Sequence, residues 1–302
     1  MTEPTHTGRA VAALLWNAFV WGLSWWPMRV LLGNGVHPLW ATAIVFATPL
    51  AVGILMRPSA WPLILRQPAL WALAATAGFT NLAFNWGVTV GDVVRVVLLF
   101  YLMPVWSVLL AWPLLGEKPE PAKLMRLALA LAGVWVVLKS PDTPWPVPRD
   151  IADVLALLGG FSFALTSITV RRLRAVDSAV RLNAMFGGGV VAGLAGGIVA
   201  TSMGAIPAIP APTVQWVGVA ILLGLVFLSS NATMQYGAAH LPAHVTALVM
   251  LSEIVFASLS SVAFGAGELT GRTLLGGALI MAAAAWAAWS EHAKKQPQPA
   301  PA

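Results

Sequence analysis

Ten long apolar stretches run through this chain of 302 residues, and short polar segments separate them. A bilayer core of about 30 Å needs roughly 20 helical residues to cross it. β-barrel strands are excluded, since they would alternate polar and apolar residues over about ten positions. The stretches therefore predict ten transmembrane helices, here called spans 1 to 10, at residues 11–31, 38–56, 70–90, 93–115, 122–138, 151–170, 182–203, 214–236, 243–264 and 273–290.

The composition agrees with an all-α polytopic membrane protein. Hydrophobic residues make up 59% of the chain and charged residues only 9%, whereas a soluble domain carries roughly 25% charged residues. The formal charge of +6 is spread between the apolar stretches and forms no single patch, so we expect no nucleic-acid partner. The chain has no cysteine, which excludes disulfides, thiolate metal sites and cysteine nucleophiles.

Lysine and arginine residues orient the predicted spans, because cytoplasmic loops carry an excess of them. With a cytoplasmic N-terminus, the outer segments hold only Arg95, Lys139, Arg149 and Arg272. The inner segments hold Arg9, Arg57, Arg66, Lys118, Lys123, Arg126, Arg171, Arg172, Arg174, Arg181, Lys294 and Lys295. Both termini are therefore predicted to be cytoplasmic, as an even number of spans requires.

The two halves of the chain resemble each other at a constant shift of 150 residues. Residues 81 and 85–87 of span 3 (Asn, Asn-Trp-Gly) recur at 231 and 235–237 of span 8 (Asn, Gln-Tyr-Gly). Five spans in each half mean that the second half enters the membrane upside down, and secondary transporters commonly place their site between such inverted repeats.

This repeat divides the chain into five predicted parts. Residues 1–10 form a cytoplasmic N-terminus, and 11–138 form the first repeat. Residues 139–150 are a proline-rich outer linker, and 151–290 form the second repeat. Residues 291–302 are rich in Pro, Gln and Ala, a composition typical of a disordered tail.

Several of these features together resemble a known family. They are the five-plus-five pattern, the Pro-Val after Leu-Met in span 4, Glu253 at the matching place of span 9, and Gly-Glu pairs near the ends of both spans. They resemble the EamA-type repeats of the drug/metabolite transporter superfamily. The Trp-rich span 1, with Asn17 and the Asn81/Asn85 pair, is most similar to bacterial aromatic amino-acid exporters of that superfamily. Span 9 has Ile254 where the family often has proline, so no residue there requires a kink.

The resemblance implies export of amino acids from the cytoplasm by alternating access, across a bacterial inner membrane and without a cofactor. The expected partners are a small-molecule substrate and lipid, and the chain is expected to be a monomer. The alternative cargo is a drug-like cation or another small metabolite. An intramembrane enzyme is rejected because no deep nucleophile–base pair or set of metal ligands is evident; no metal is expected.

Polar residues within the spans are the candidates for binding cargo. Asn81 and Asn85 share one helix face, as do Asn231 and Gln235, and their amides could line a common cavity. The competing interpretation is that these amides join helices to one another. Three further residues are candidates for contact with the substrate. Asn17 and Trp21 lie on one face of span 1, and Tyr101 lies in span 4.

Candidates for gating or coupling are Glu253, Arg95 and Pro104. A carboxylate at bilayer depth is expensive, so Glu253 could bind an ammonium group or carry a proton, or it could be neutral and structural. Arg95 could attract a carboxylate or pair with Asp92 or Asp153. Pro104 interrupts its helix and is a candidate hinge.

Two further residues or groups are given structural interpretations. Arg29, like Arg95, could attract a carboxylate or pair with Asp92 or Asp153, but the favoured interpretation is that it extends toward the membrane boundary, as long side chains near helix ends do. Gly189, Gly193 and Gly197 repeat every four residues on span 7, which predicts a helix that packs closely on span 7.

Overall fold

The computed structural model describes residues 4–116, 120–139, 147–241 and 243–295. These ranges form helices joined by short turns, and no strand occurs within them. The helices are α1 (Pro4–Leu23), α2 (Trp25–Gly33), α3 (Pro38–Met56), α4 (Ala60–Arg66), α5 (Pro68–Val90), α6 (Val93–Phe100), α7 (Met103–Leu115), α8 (Pro121–Leu138), α9 (Ile151–Arg172), α10 (Ser178–Ser202), α11 (Val214–His240), α12 (Ala243–Met250), α13 (Ser252–Ala263) and α14 (Gly271–Lys295).

Each predicted span falls on one helix or on two consecutive helices. Five segments of the described chain are long and apolar enough to cross a membrane: Pro38–Met56, Val93–Leu110, Ile151–Arg172, Ser178–Ser202 and Val214–His240. Shorter apolar helices occur at Leu124–Leu138, Leu248–Ala263 and Gly271–Trp286. The described part of the chain is thus all-helical, with several segments able to span a membrane, and the total of ten spans stays a prediction.

Three of the predicted spans are each divided into two helices. The breaks lie at Ser24, at Tyr101 and Leu102, and at Leu251. Pro104 follows the second break closely and has no N–H for the helical hydrogen bond to Phe100. The third break needs no proline, since Leu251 and Ile254 donate backbone hydrogen bonds only three residues back.

Serine hydroxyls accompany two of the breaks. Ser24 Oγ donates to the Trp21 carbonyl at 2.8 Å, and Ser252 Oγ donates to the Val249 carbonyl at 2.7 Å. Such bonds compete with the helical pattern and bend helices. The interruption of span 9 is therefore explained although Ile254 stands where the family often has proline.

Helix α10 packs against α3 and α5 along its small residues. A Cβ added at Gly193 would come within 2.6 Å of the Ala43 nitrogen, and one at Gly189 would come within 2.7 Å of Phe46. A Cβ at Gly188 would overlap the Ala74 carbonyl of α5. The predicted close packing along the glycines of span 7 is confirmed. Small residues allow this approach, which supplies van der Waals contact where lipid weakens any hydrophobic preference.

The bundle has two opposite ends, which we name after residues that lie there. The Asp92 end contains the turn between α5 and α6, and Arg29 of α2 reaches Gly91 in this turn. The His240 end contains the end of α11, where Gly237 packs against Leu14 of α1. The α1–α2 segment runs from one end to the other.

Three predicted features fall partly or wholly outside the described residues. These are the Gly-Glu pair at 116–117, most of the linker at 140–146, and the tail at 296–302. Helix α14 continues to Lys295, past the predicted end of span 10 at residue 290. Alanine, glutamate and lysine are good helix formers, and residues 291–295 contain these types.

Candidate functional site

Five aromatic rings from five different helices cross the middle of the bundle. Centroid distances of 4.6 Å from Phe227 to Trp21 and 6.0 Å from Trp21 to Phe84 join α11, α1 and α5. The row continues at 4.8 Å from Phe84 to Phe100 and at 5.8 Å from Phe100 to Phe163. We call these five residues the aromatic layer.

The rings of the layer are not equally buried. Phe84, Phe100 and Phe227 are buried, whereas Trp21 and Phe163 are half-buried. The stacked pair of Trp21 and Phe227 has an interplanar angle of 15°. Trp21 and Phe163 therefore present apolar, polarizable ring surface to any solute that reaches the middle of the bundle.

Tyr101 and Glu253 form a hydrogen bond at the place where two helix breaks meet. The Tyr101 hydroxyl lies 3.0 Å from Glu253 Oε2 and 3.1 Å from the Met250 carbonyl. Tyr101 is 4% and Glu253 9% exposed. Glu253 stands in the first turn of α13, where the helix dipole favours a negative charge. The break at Leu251 creates this helix start, so it both positions and stabilises the carboxylate.

Helix α1 packs directly on the backbone of α13, the helix that carries Glu253. A Cβ at Gly22 would lie 2.9 Å from the Glu253 carbonyl and 2.8 Å from Phe256. The glycine at position 22 therefore lets the α1 backbone approach α13. Because Trp21 precedes Gly22, the aromatic layer and the Tyr101–Glu253 pair are neighbours in the centre of the bundle.

The four amide side chains predicted to line a common cavity, at positions 81, 85, 231 and 235, lie in different surroundings. Asn85 is fully buried, and its Nδ2 donates to Thr42 Oγ1 at 3.3 Å, while its Oδ1 is buried without a partner. Asn81 and Asn231 are half-buried, and each donates to the carbonyl four residues earlier in its own helix at 2.9 Å. Gln235 is half-buried and makes no hydrogen bond to the described part of the chain.

Asn17 joins two helices that belong to different halves of the chain. Its Nδ2 donates to Ser230 Oγ at 2.6 Å and to the Ser230 carbonyl at 2.9 Å. Asn17 is 3% exposed, so this amide holds α1 on α11. Contact between Asn17 and cargo stays a prediction, and the contacts observed here are interhelical.

Arg95 forms a buried ion pair with Asp153 at the Asp92 end. Its Nε and Nη2 donate to the two carboxylate oxygens at 2.7 Å each, and Nη1 donates to the Val137 carbonyl. The Arg149 backbone N–H also donates to Asp153, at 2.8 Å. Of the alternatives for Arg95, the structure selects the pairing with Asp153, which joins α6, α8 and α9. A gating role for Arg95 stays a prediction.

Arg29 donates to backbone carbonyls in the turns of the Asp92 end. Its Nη2 donates to the Gly91 carbonyl at 2.6 Å and lies 3.5 Å from the Ala266 carbonyl. The guanidinium also sits over the Trp25 ring at 5.4 Å. Arg29 therefore extends toward the Asp92 end, where two backbone carbonyls hold its guanidinium. The sequence contained one signal for this, the Gly91-Asp92 turn predicted on the same side of the membrane.

The comparisons with known proteins concern the first half of the chain and the overall fold. Residues 8–139 match the EamA-like transporter family. The match suggests a membrane transporter of the drug/metabolite superfamily, whose members are transporters and not enzymes. No curated protein matches the chain significantly. The comparisons give no support for the resemblance to aromatic amino-acid exporters.

Solved structures share the fold. Among the 14 matching chains, one crystal structure of a protein covers 98% of this chain and 100% of its own chain, with a TM-score of 0.56 and 21% sequence identity. An identity this low shows similarity of fold alone.

Proposed function

We propose, from the family match at residues 8–139 and from the geometry of the centre, that this protein is a secondary transporter that exports amino acids. The cargo includes aromatic and broader neutral amino acids, and transport proceeds by alternating access. The main support for this proposal is the hydrogen-bonded Tyr101–Glu253 pair next to the half-buried Trp21 ring. A carboxylate attracts the ammonium group of an amino acid, and the ring contacts its apolar side chain.

The helix contacts support two inverted halves. A shift of 150 relates α5 to α11, and the order of the helices relates α1 to α9, α3 to α10 and α8 to α14. Helix α5 packs on α9, and in the same way α11 packs on α1. Helix α3 packs on α11, and α10 packs on α5. This exchange of partners is expected when a two-fold axis in the membrane plane relates the halves.

The proposed membrane arrangement follows from the charge pattern. Both termini lie in the cytoplasm, ten spans cross the bacterial inner membrane, and the chain works as a monomer. The His240 end then faces the cytoplasm and the Asp92 end faces outward. The first repeat comprises residues 11–138, the second comprises 151–290, and Asn81, Asn231 and Gln235 border the path from the cytoplasm.

The test is exchange across a lipid bilayer. Proteoliposomes loaded with unlabelled Phe, Trp, Met or Thr should accumulate the labelled amino acid by counterflow. Trp21→Ala should reduce exchange of Phe and Trp more than that of Thr, because the ring contacts only the apolar part. Trp26→Ala is the matched control, since Trp26 is 55% exposed and lies outside the aromatic layer.

Organic cations are a second candidate class of cargo, because Arg29 and Arg95 are both already paired with protein oxygen atoms. Arg29 and Arg95 both donate to protein oxygen atoms at the Asp92 end, so neither is free to hold a carboxylate beside the layer. Drug-like organic cations need only Glu253 and aromatic rings. Counterflow with a labelled aromatic monoamine distinguishes the classes: exchange of the amine without exchange of any amino acid would replace the first proposal by the second.

A further inference from the structure

Matched segments of the two halves differ sharply in burial. Residues 82–85 and 87–89 near the end of α5 are buried. At the equivalent positions near the end of α11, residues 231–240 are half-buried or exposed except for Gly237. The same contrast separates residues 93–102, which are all buried, from residues 245, 246 and 248–252, which are half-buried except for Thr246. The bundle is therefore closed at the Asp92 end and more open at the His240 end.

At the Asp92 end, hydrogen bonds join α2 and the start of α6 to α13 and the segment that follows it. The Val93 N–H donates to the Ala266 carbonyl at 3.2 Å, and the Glu268 N–H donates to Asp92 Oδ2 at 2.8 Å. Trp25 Nε1 donates to Ser260 Oγ at 3.0 Å. These bonds hold α2, the turn before α6 and the segment after α13 together.

At the His240 end, two groups of helices have little direct packing on each other, and α3, α8, α10 and α14 connect them around the bundle. Helix α1 packs with α11 and α12 through a small core that includes Ala10, Leu14 and Leu241. Helix α9 packs with α5 and α7, and Ser162 Oγ donates to the Thr76 carbonyl at 2.7 Å. Helix α2 contacts α5 at the closed end. The end of α11 lacks strong direct packing on the second group, in line with its exposure.

Arg29 is the one charged side chain that contacts all three segments at the closed end within the described residues. It belongs to α2, reaches the Gly91 carbonyl before α6 and the Ala266 carbonyl after α13, and covers Trp25. Its Nε is buried without a hydrogen-bond partner. An unsatisfied buried donor is costly, so the closed arrangement is less stable than a fully paired one and can be released.

The position of α2 allows such a release. The break at Ser24 separates α2 from α1, and Pro27 lies within its first turn. Trp26 and Leu32 on α2 are exposed, whereas Arg29 faces the interior of the bundle. A rotation of α2 at the break would withdraw Arg29 from both carbonyls without moving α1.

We infer that Arg29 is a gating residue, whose guanidinium bridges Gly91 and Ala266 and holds the transporter closed at the Asp92 end while the His240 end is open. This inference rests on the proposed transport function and names the conformation and the residue that stabilises it. Arg29 acts through the position of α2 and need not touch the cargo.

The experiment uses single cysteines, which the cysteine-free chain permits without background. Gln235→Cys reports on the open end, and Thr89→Cys reports on the closed end, where Thr89 is 3% exposed. A membrane-impermeant maleimide is applied to one side of oriented membrane vesicles at a time. We expect Gln235→Cys to react from the cytoplasmic side and Thr89→Cys to be protected from both sides.

Arg29→Gln should then shift the pattern toward opening at the Asp92 end. Loss of a charge-assisted hydrogen bond changes a two-state equilibrium by about tenfold or more. Thr89→Cys should react about tenfold faster from the outer side, and Gln235→Cys should react more slowly. Arg29→Lys keeps the charge and one carbonyl contact, so it should lie between Arg29→Gln and the parent. Arg57→Gln, at an exposed arginine of the other end, should change neither rate.

Three results would overturn the inference. Thr89→Cys could react in the parent as fast as Gln235→Cys, or Arg29→Gln could leave both rates unchanged. Both rates could also rise together, which would indicate a loosened fold and not a gate. Labelling needs no cargo, so a shifted pattern without amino-acid counterflow would keep the gate and remove the proposed cargo.

Discussion

The buried ion pair between Arg95 and Asp153 leads to a quantitative prediction about stability. Arg95 is 9% and Asp153 1% exposed, and two parallel bonds of 2.7 Å join them. Asp153→Leu would leave the guanidinium charge buried with only the Val137 carbonyl as a partner. Removing one member of a buried pair costs about 3–5 kcal/mol, because the other charge remains unpaired.

The double variant Arg95→Met/Asp153→Leu should be less destabilised than Asp153→Leu alone. Apolar side chains of similar volume often replace a buried ion pair at little cost. The loss in Asp153→Leu comes from the stranded charge, and the second substitution removes that charge. A double-mutant cycle therefore separates the pairing from the packing of the two side chains.

The assay is thermal unfolding of the purified protein in detergent, at a fixed scan rate because such unfolding is often irreversible. At roughly 2–4 °C per kcal/mol for a chain of moderate size, Asp153→Leu should melt at least about 6 °C below the parent. Arg66→Met, at an exposed arginine, is the control and should change the midpoint little. An unfolding midpoint of Asp153→Leu as close to the parent as that of Arg66→Met would refute the reasoning. A double variant that melts at a lower temperature than Asp153→Leu would refute it as well.

Two further predictions concern the centre of the bundle and its packing. Tyr101→Phe removes the only side-chain donor to Glu253 among the described residues, so counterflow should fall by about an order of magnitude while size-exclusion profiles stay unchanged; full activity would contradict a functional pair. Gly188→Leu would drive a side chain into the Ala74 carbonyl, so the yield of monodisperse protein should collapse. Gly218→Leu is its control, because a Cβ there meets nothing within 4 Å, and equal yields would show that the close helix contact is dispensable.

The helices of this fold were predictable because each apolar stretch has nearly the length that a helix needs to cross a bilayer. The predicted span at 38–56 coincides with α3, Pro38–Met56, where His37 and Pro38 mark the start. The short helix α4, Ala60–Arg66, was missed since seven residues are too few for an apolar period to stand out. The break at Leu251 was also missed, because it depends on local hydrogen bonds and not on proline.

The candidate site was harder to predict than the helices. Asn85 and Gln235 occupy matching positions in the two halves, yet Asn85 is fully buried and Gln235 is half-buried. A repeated sequence specifies the same helix face in both copies. It does not specify which end of the bundle is closed, since that depends on contacts between the copies.

Arg29 illustrates a similar limit. Its position near a helix end predicts that the side chain extends toward the membrane boundary, but not which groups it meets there. Those groups are the Gly91 and Ala266 carbonyls, and they approach Arg29 only in the folded bundle. The pairing of Arg95 with Asp153 could be named in advance as one of several options, because complementary charges were predicted on the same side of the membrane.

Crosslinking the closed end tests the central claim, that cargo crosses a bundle whose ends open in turn. The Val93 nitrogen lies 3.2 Å from the Ala266 carbonyl oxygen, a contact that places the two Cα atoms near the 4.4–6.8 Å span of a disulfide. Counterflow by Val93→Cys/Ala266→Cys is measured after oxidation and again after reduction, with each single variant as control. The account predicts that oxidation stops exchange and that reduction restores it. Full exchange by protein shown to be crosslinked would contradict the claim, because cargo would then cross without any opening of the Asp92 end.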